Sequence, residues 1–263
     1  MNNQLDNNYK NHKIFAKLDK YIKFYDNFSI AIQSFATIGT TAIINLDTYV
    51  YSSIAATLES IKTVLADGKI NDAFALLRKY YDVTIINTYA NLYLSENVNI
   101  ANYRVNQINN WLHGKLKIPE YRVMSNYIIK SDKLKPITDL LRKENKHKTV
   151  RELCNNHLHY NFFSNLLINY NQLYIKTRIS NLDAFLSSLQ WLFIQHLAYI
   201  FYLNDHYMMS NDYIDYLECG QIPPKNSQYW VASFVQDIFD SEIKPYHIDI
   251  YTEIKNKTSM HLN

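Results

Sequence analysis

Phe74, Leu77, Tyr81, Ile85, Thr88 and Leu92 recur at steps of three and four, with no Pro or Gly between them. That spacing places them in one stripe of an α-helix running from Ile70 to about Leu94. Two more long helices are predicted upstream, Lys13 to about Ile38 and Thr41 to about Ala66, punctuated by Gly39 and Asp67-Gly68. Residues 97–148 are less regular, with Pro119, Pro136 and short helical pieces around Arg104 to Leu112 and Ile137 to Arg142. Thr149-Val-Arg-Glu152 then has the form of a capping box, in which the Thr hydroxyl and the Glu carboxylate satisfy free amides of a first turn. It predicts a helix from Thr149 to about Tyr170. Ser180-Asn-Leu-Asp183 is a weaker signal of the same kind. From Asp212 on, Pro223-Pro224, an amphipathic piece from Tyr229 to Phe239 and a polar tail complete the pattern.

Ala184 to Leu203 carries no charge, and its length suits a bilayer. Ser187, Ser188, Gln190, Gln195 and His196 interrupt it, so a buried bundle helix is expected rather than a span. The uncharged stretch Asn27 to Leu46 is read in the same way. The expectation is an all-α protein: an N-terminal helical pair (1–66), a helical core (67–211) and a C-terminal extension (212–263).

Composition narrows the chemistry. Only four glycines occur, all far apart, so a dinucleotide fingerprint, a P-loop and a Gly-x-Ser-x-Gly elbow are excluded. Many-stranded β folds lose their turn residues for the same reason. With 48% hydrophobic residues a real core can form, so global disorder is excluded. The net charge is only +3, but it is uneven, basic between Arg104 and Arg151 and acidic between Asp205 and Glu253. That asymmetry implies one surface facing a polyanion, or two complementary surfaces. Cys154 and Cys219 make no disulfide framework, and Met-Asn-Asn-Gln-Leu-Asp lacks the basic and apolar stretches of a signal peptide. A cytoplasmic setting with no membrane partner is expected.

Arg151-Glu-Leu-Cys-Asn-Asn-His-Leu-His-Tyr-Asn161 is the stretch richest in chemistry. Arg151, Asn155 and His159 are spaced i, i+4, i+8, which on a helix falls within an arc of about 80°. A guanidinium offers a fork of donors for phosphate oxygens. An imidazole exchanges a proton near neutral pH. An amide orients either partner. Together these are the parts for cleaving RNA through its own 2′-hydroxyl, with a base to take the proton and a cation to stabilise the charge. Lys146, Lys148 and the neighbouring Asn156 are candidate substrate contacts, as is Arg78, paired at i, i+4 with Asp82 on the strongest helix. Cys154, His157 and His159 lack a fourth ligand at a suitable spacing, so no metal site is expected.

An Arg, a polar residue and a His on one helix of an α-bundle resemble the HEPN superfamily (higher eukaryotes and prokaryotes nucleotide-binding). The resemblance covers roughly Ile70 to Leu203, and Ala75-Leu-Leu-Arg78 with Asp82 resembles the family's usual first helix. The family motif is an Arg, four to six residues, then a His. Arg151 to His157 has that spacing, with five residues between. Cys154-Asn155-Asn-His-Leu-His159 fits the Arg-Asn-x-x-x-His frame, with Cys in place of Arg. His157 is therefore one candidate acid/base and His159 the other, His159 being favoured because it shares a face with Arg151 and Asn155; a degenerate, inactive site is the third outcome. The resemblance implies a HEPN-like bundle and a metal-independent endoribonuclease without cofactor, acting as a toxin or antiviral defence effector. It also implies a homodimer, RNA as substrate, and an antitoxin or defence-system protein as partner. The alternative is a non-catalytic HEPN-like binding or regulatory module.

Overall fold

The computed structural model describes residues 5–32, 40–98 and 105–263. The predicted helix end near Ile38, the predicted break at Gly39 and the predicted helical start at Arg104 lie outside them. Helices α1 (Asn7–Lys10) and α2 (Ile14–Ala31) come first, and a 3₁₀ turn at Ile43–Asn45 runs into α3 (Leu46–Ala66). Then follow α4 (Ile70–Asn97), α5 (Asn106–Leu112), α6 (Tyr121–Lys130), α7 (Lys135–Arg142) and α8 (Lys146–Leu158). The chain continues with α9 (Phe163–Leu167), α10 (Arg178–Leu203), α11 (Asp212–Glu218), α12 (Ser233–Ile238) and α13 (Ile248–Lys257). No strand forms among the described residues, only an isolated antiparallel bridge between Met209 and Val231. The protein is all-α, as its sequence predicts.

The predicted stripe of α4 is buried at each of its six positions. Gly68 separates α3 from α4. Its φ of +79° lies in the left-handed region, and a Cβ there would stand 3.0 Å from Leu5 and 3.1 Å from Asn171. Its amide donates to Leu65 O at 2.8 Å, and that of Lys69 to Val64 O at 2.9 Å, which closes α3 in the usual glycine-ended way.

Four predicted helix ends are corrected, the first being that of α3, which begins at Leu46 and not at Thr41 because the 3₁₀ turn at Ile43–Asn45 precedes it. Helix α8 begins at Lys146, not Thr149, because Asn145 at φ 51° turns the chain into the helix without a side-chain cap. Thr149 and Glu152 sit inside it, both exposed. Helix α8 also ends at Leu158, well before Tyr170. Tyr160 takes φ 49°, its amide donates to His157 O at 3.2 Å, and that of Asn161 donates to Asn156 O at 3.0 Å. This is the bonding pattern seen at Gly68, with a tyrosine where glycine is the norm, a substitution that costs about 1–2 kcal/mol. Asn161 Nδ2 reinforces the turn by donating to Asn156 Oδ1 at 2.9 Å. Finally, α10 begins at Arg178, and the Ser180 hydroxyl donates back to Thr177 O at 2.9 Å instead of capping.

Helix α10 is long and apolar enough to cross a membrane, and 83% of its most apolar window is buried inside the protein. The chain forms two compact units, each drawn from three stretches of sequence. One takes in Met1–Asp26, Tyr49–Thr84 and Glu144–Phe193, the other Asn27–Thr48, Ile85–Lys143 and Ile194–Asn263. In the first, Tyr21 stacks on Phe193 with ring centroids 3.7 Å apart, and Phe24 and Tyr25 meet the same ring edge-on at 5.4 and 5.6 Å. The Tyr25 and Tyr80 hydroxyls bond at 2.9 Å within that aromatic core. In the second, Phe28 packs edge-on against Phe201 at 5.6 Å and Tyr207 at 6.0 Å, and Phe201 lies 5.6 Å from Phe239.

Candidate functional site

In the first unit, α4 and α8 bring four polar side chains together. The Arg78 guanidinium meets the Asp82 carboxylate with two prongs, Nε donating to Oδ2 at 3.0 Å and Nη2 lying 2.9 Å from Oδ1. Its third nitrogen, Nη1, donates to Asn155 Oδ1 on α8 at 3.0 Å. Arg151, one turn earlier on α8, sets Nη1 3.6 Å from Asp82 Oδ1. Two guanidiniums thus share a single carboxylate. Arg78 is the more enclosed, with 11% of its side chain exposed, against 29% for Arg151 and 39% for Asp82. Burial raises the Asp82 carboxyl above the ordinary carboxylate range, and the two guanidiniums offset part of that rise by favouring the anion.

The other predicted residues separate around this cluster. Val150, Cys154 and His157, at steps of four and three, are the buried stripe of α8. The His157 ring lies flat on Phe74, centroids 3.9 Å apart and planes 11° apart, and its Nδ1 stands 2.8 Å from Asn71 Oδ1. Burial pushes its pKa down to about 4, so it is neutral near pH 7 and packs as a core aromatic. Cys154 is buried beside it, and burial pushes its thiol up to about 12, which removes thiolate chemistry. His159 is the reverse case. It is exposed just past the last residue of α8, yet its amide still donates to Asn155 O at 3.0 Å, so the row Arg151, Asn155, His159 stays in helical register to its end.

Asn156 serves the end of the helix rather than the cluster. Its Oδ1 accepts from Asn161, and its carbonyl accepts from Asn165 Nδ2 at 2.7 Å. Lys146 pairs with Glu144 at 2.7 Å and lies 5.2 Å over the Trp191 ring. Lys148 is exposed on the first turn of α8. The structure therefore brings together Arg78, Arg151 and Asn155, and leaves His157, Asn156 and Lys146 with partners elsewhere. Among the described residues no group of three or more His, Cys, Asp or Glu converges as a metal would need.

The second unit holds a polar cluster that the residue spacing does not single out at first reading. Asp47, 5% exposed, accepts from Asn87 Nδ2 at 2.6 Å, Asn91 Nδ2 at 2.9 Å and the Tyr207 hydroxyl at 2.8 Å. Asn87 Oδ1 faces His196 Nε2 at 2.9 Å, and Asn91 Oδ1 accepts from Asn204 Nδ2 at 2.7 Å. Burial raises the Asp47 carboxyl, against which the three donors hold the anion. Burial also pushes His196 down to about 3, so the imidazole is neutral. The signal available in sequence is Asn87 and Asn91 one turn apart in the uncharged stretch 83–94 of α4.

No family model, curated protein or solved structure matches the chain.

Proposed function

We propose that the Arg151–Asn155–His159 row, with Arg78 behind it, is the active face of a metal-independent endoribonuclease of the HEPN type, acting in the cytoplasm as a toxin or antiviral defence effector. The observation that carries this reading is the pair of guanidiniums sharing one carboxylate at the surface, on a helix that ends in an exposed imidazole. Two cations against one anion leave the cluster net positive, as a phosphodiester requires. The His159 imidazole takes the proton from a ribose 2′-hydroxyl. The freed oxygen attacks the adjacent phosphorus, and the 5′ oxygen leaves with a proton, giving a 2′,3′-cyclic phosphate and a 5′-hydroxyl. Arg151 stabilises the charge building on the phosphoryl oxygens, and Asn155, itself held by Arg78, positions the phosphate. Lys146 and Lys148 at the start of α8 draw the RNA backbone in. One row carries one accessible imidazole, whereas the reaction needs a base and an acid. A second copy about a two-fold axis supplies the other, so a homodimer belongs to the proposal. An antitoxin or defence-system protein is its natural regulator.

A second reading, a non-catalytic HEPN-like binding or regulatory module, is favoured by Cys154. It stands where the motif has its Arg, and it is buried as an inert thiol. One experiment separates the two. End-labelled RNA incubated with purified protein in EDTA is expected to yield fragments ending in 2′,3′-cyclic phosphate. His159→Ala is expected to stop the cutting with the melting temperature unchanged. RNA that is bound through Arg151 but left whole by the wild-type protein selects the second reading.

A further inference from the structure

Between α8 and α10 the sidedness of an ordinary surface segment is reversed. Its asparagines are turned to the protein and bonded. Asn165 reaches the Asn156 carbonyl, and Asn169 accepts the Asn71 amide at 2.8 Å and donates to Asp72 Oδ1 at 2.8 Å. Asn171 donates to Asp67 O at 3.0 Å. Buried Arg178 gathers the carbonyls of Gly68, Ile168, Tyr170 and Leu173 at 3.1 to 3.4 Å. Most of the large apolar side chains are instead left to solvent, Ile168 being the buried exception. Nine of them between Leu158 and Tyr174 are exposed, among them Phe162 at 58%, Phe163 at 72% and Tyr174 at 78%. A segment held this firmly by its polar groups is built to present its apolar ones.

We propose that this face is the contact between two copies of the chain, packed about a two-fold axis. Three observations choose a second copy as the occupant. The first is area. With full side-chain burials of roughly 150–250 Å² for aromatics, the nine side chains expose on the order of 1,000 Å². That exceeds the patch of roughly 300–600 Å² typical of monomers and meets the roughly 800 Å² that each partner gives to a standard interface. The second is charge. No Asp, Glu, Lys or Arg occurs from Leu153 to Ile175. A two-fold contact sets a patch against itself, so any net charge would repel its own copy, and a neutral patch is the self-complementary solution. A lipid surface asks instead for Lys or Arg among the aromatics. The third is rigidity, since a segment already fixed at Asn165, Asn169, Asn171 and Arg178 loses little freedom on docking. The face starts beside His159, so it deepens the two-copy part of the proposed function. Its test needs no RNA: a dimer formed through another surface overturns this face and leaves the proposed function standing, and a dimer formed through this face that cuts no RNA does the reverse.

Sedimentation of the purified full chain across a concentration series is the measurement. The wild type is expected to be a dimer at micromolar concentration. Phe163→Asp places a carboxylate at a highly exposed position and is expected to raise the dimer dissociation constant by more than about thirtyfold, with unchanged helical circular dichroism. Leu166→Asp is expected to act in the same direction. Tyr246→Asp, at an equally exposed aromatic outside the face, is expected to leave the dimer intact. A wild type that stays monomeric at 100 micromolar overturns the proposal. So does a dimer indifferent to both Phe163→Asp and Leu166→Asp. A monomer that floats with phosphatidylcholine vesicles through Phe163 overturns it too, and gives the face to lipid.

Discussion

Asp82 and Asp47 are both carboxylates raised by burial, but what surrounds them differs. Asp82 is answered by charge. Two guanidiniums reach it, its side chain is 39% exposed, and the helix that brings Arg151 to it ends in an exposed histidine. Asp47 is answered by neutral hydrogen-bond donors, two amides and a phenol, and the two amides are in turn tied to His196 and Asn204. A cluster with a surplus of positive charge and a way out to solvent can receive an anion. A cluster whose bonds are spent on one another fixes the packing of its helices and leaves nothing for a ligand. The same contrast separates the histidines, with His157 and His196 buried and neutral while His159 faces water.

The largest expected effect is on stability in acid. His157 and His196 have pKa values pushed down to about 4 and about 3, below the ordinary 6.5 that they regain on unfolding. The unfolded chain therefore binds more protons below pH 6.5. Stability is fully present above that pH and is lost as the pH falls from 6.5 towards 4, by up to about 1.4 kcal/mol per pH unit for each histidine. The raised Asp47 carboxyl works in the opposite sense, favouring the fold below the ordinary carboxylate range and losing that contribution as pH rises through its folded value. Urea midpoints between pH 7 and 4.5 check the balance. The slope is expected to shrink in His196→Gln, and a flat profile in the wild type would contradict the burial of both rings.

Next in size is Asp47→Ala. It strands the donors of Asn87, Asn91 and Tyr207 in the interior and is expected to cost roughly 3–5 kcal/mol. Denaturant unfolding at neutral pH reads this directly. A loss below about 1 kcal/mol would mean that the network is wet or slack. Arg151→Ala removes a part-exposed ion pair at 3.6 Å and is expected to cost less than about 1 kcal/mol by the same assay. The two clusters should therefore differ severalfold in their weight on folding.

The amount of this legible in the sequence depends on range. Helix α4 was readable because its apolar period runs unbroken, and Arg78 with Asp82 because an i, i+4 pair is local. Arg151 and Asn155 were readable as one face of a helix, but their approach to Arg78 and Asp82 is long-range, and no spacing encodes it. The role of His157 was there to be seen in Val150, Cys154 and His157, whose steps of four and three mark the buried side of α8. The two ends of α8 were not readable, whereas Gly68 marked the end of α3. Asn145 and Tyr160 both take the left-handed conformation without being glycine, and the neighbours that compensate for this are found only in the fold. The Asp47 network joins residues 40 to 160 positions apart, and no local pattern encodes such a meeting.

The most direct test of the central claim, that the Arg151 row does the chemistry while the Asp47 network holds the fold, is the rate of RNA cutting by Arg151→Ala. It is measured in EDTA on the substrate used for the wild type. The account predicts a loss of a hundredfold or more at an unchanged melting temperature, in line with removal of a cation from a developing phosphoryl charge. Cutting at the wild-type rate by a folded Arg151→Ala protein would contradict it.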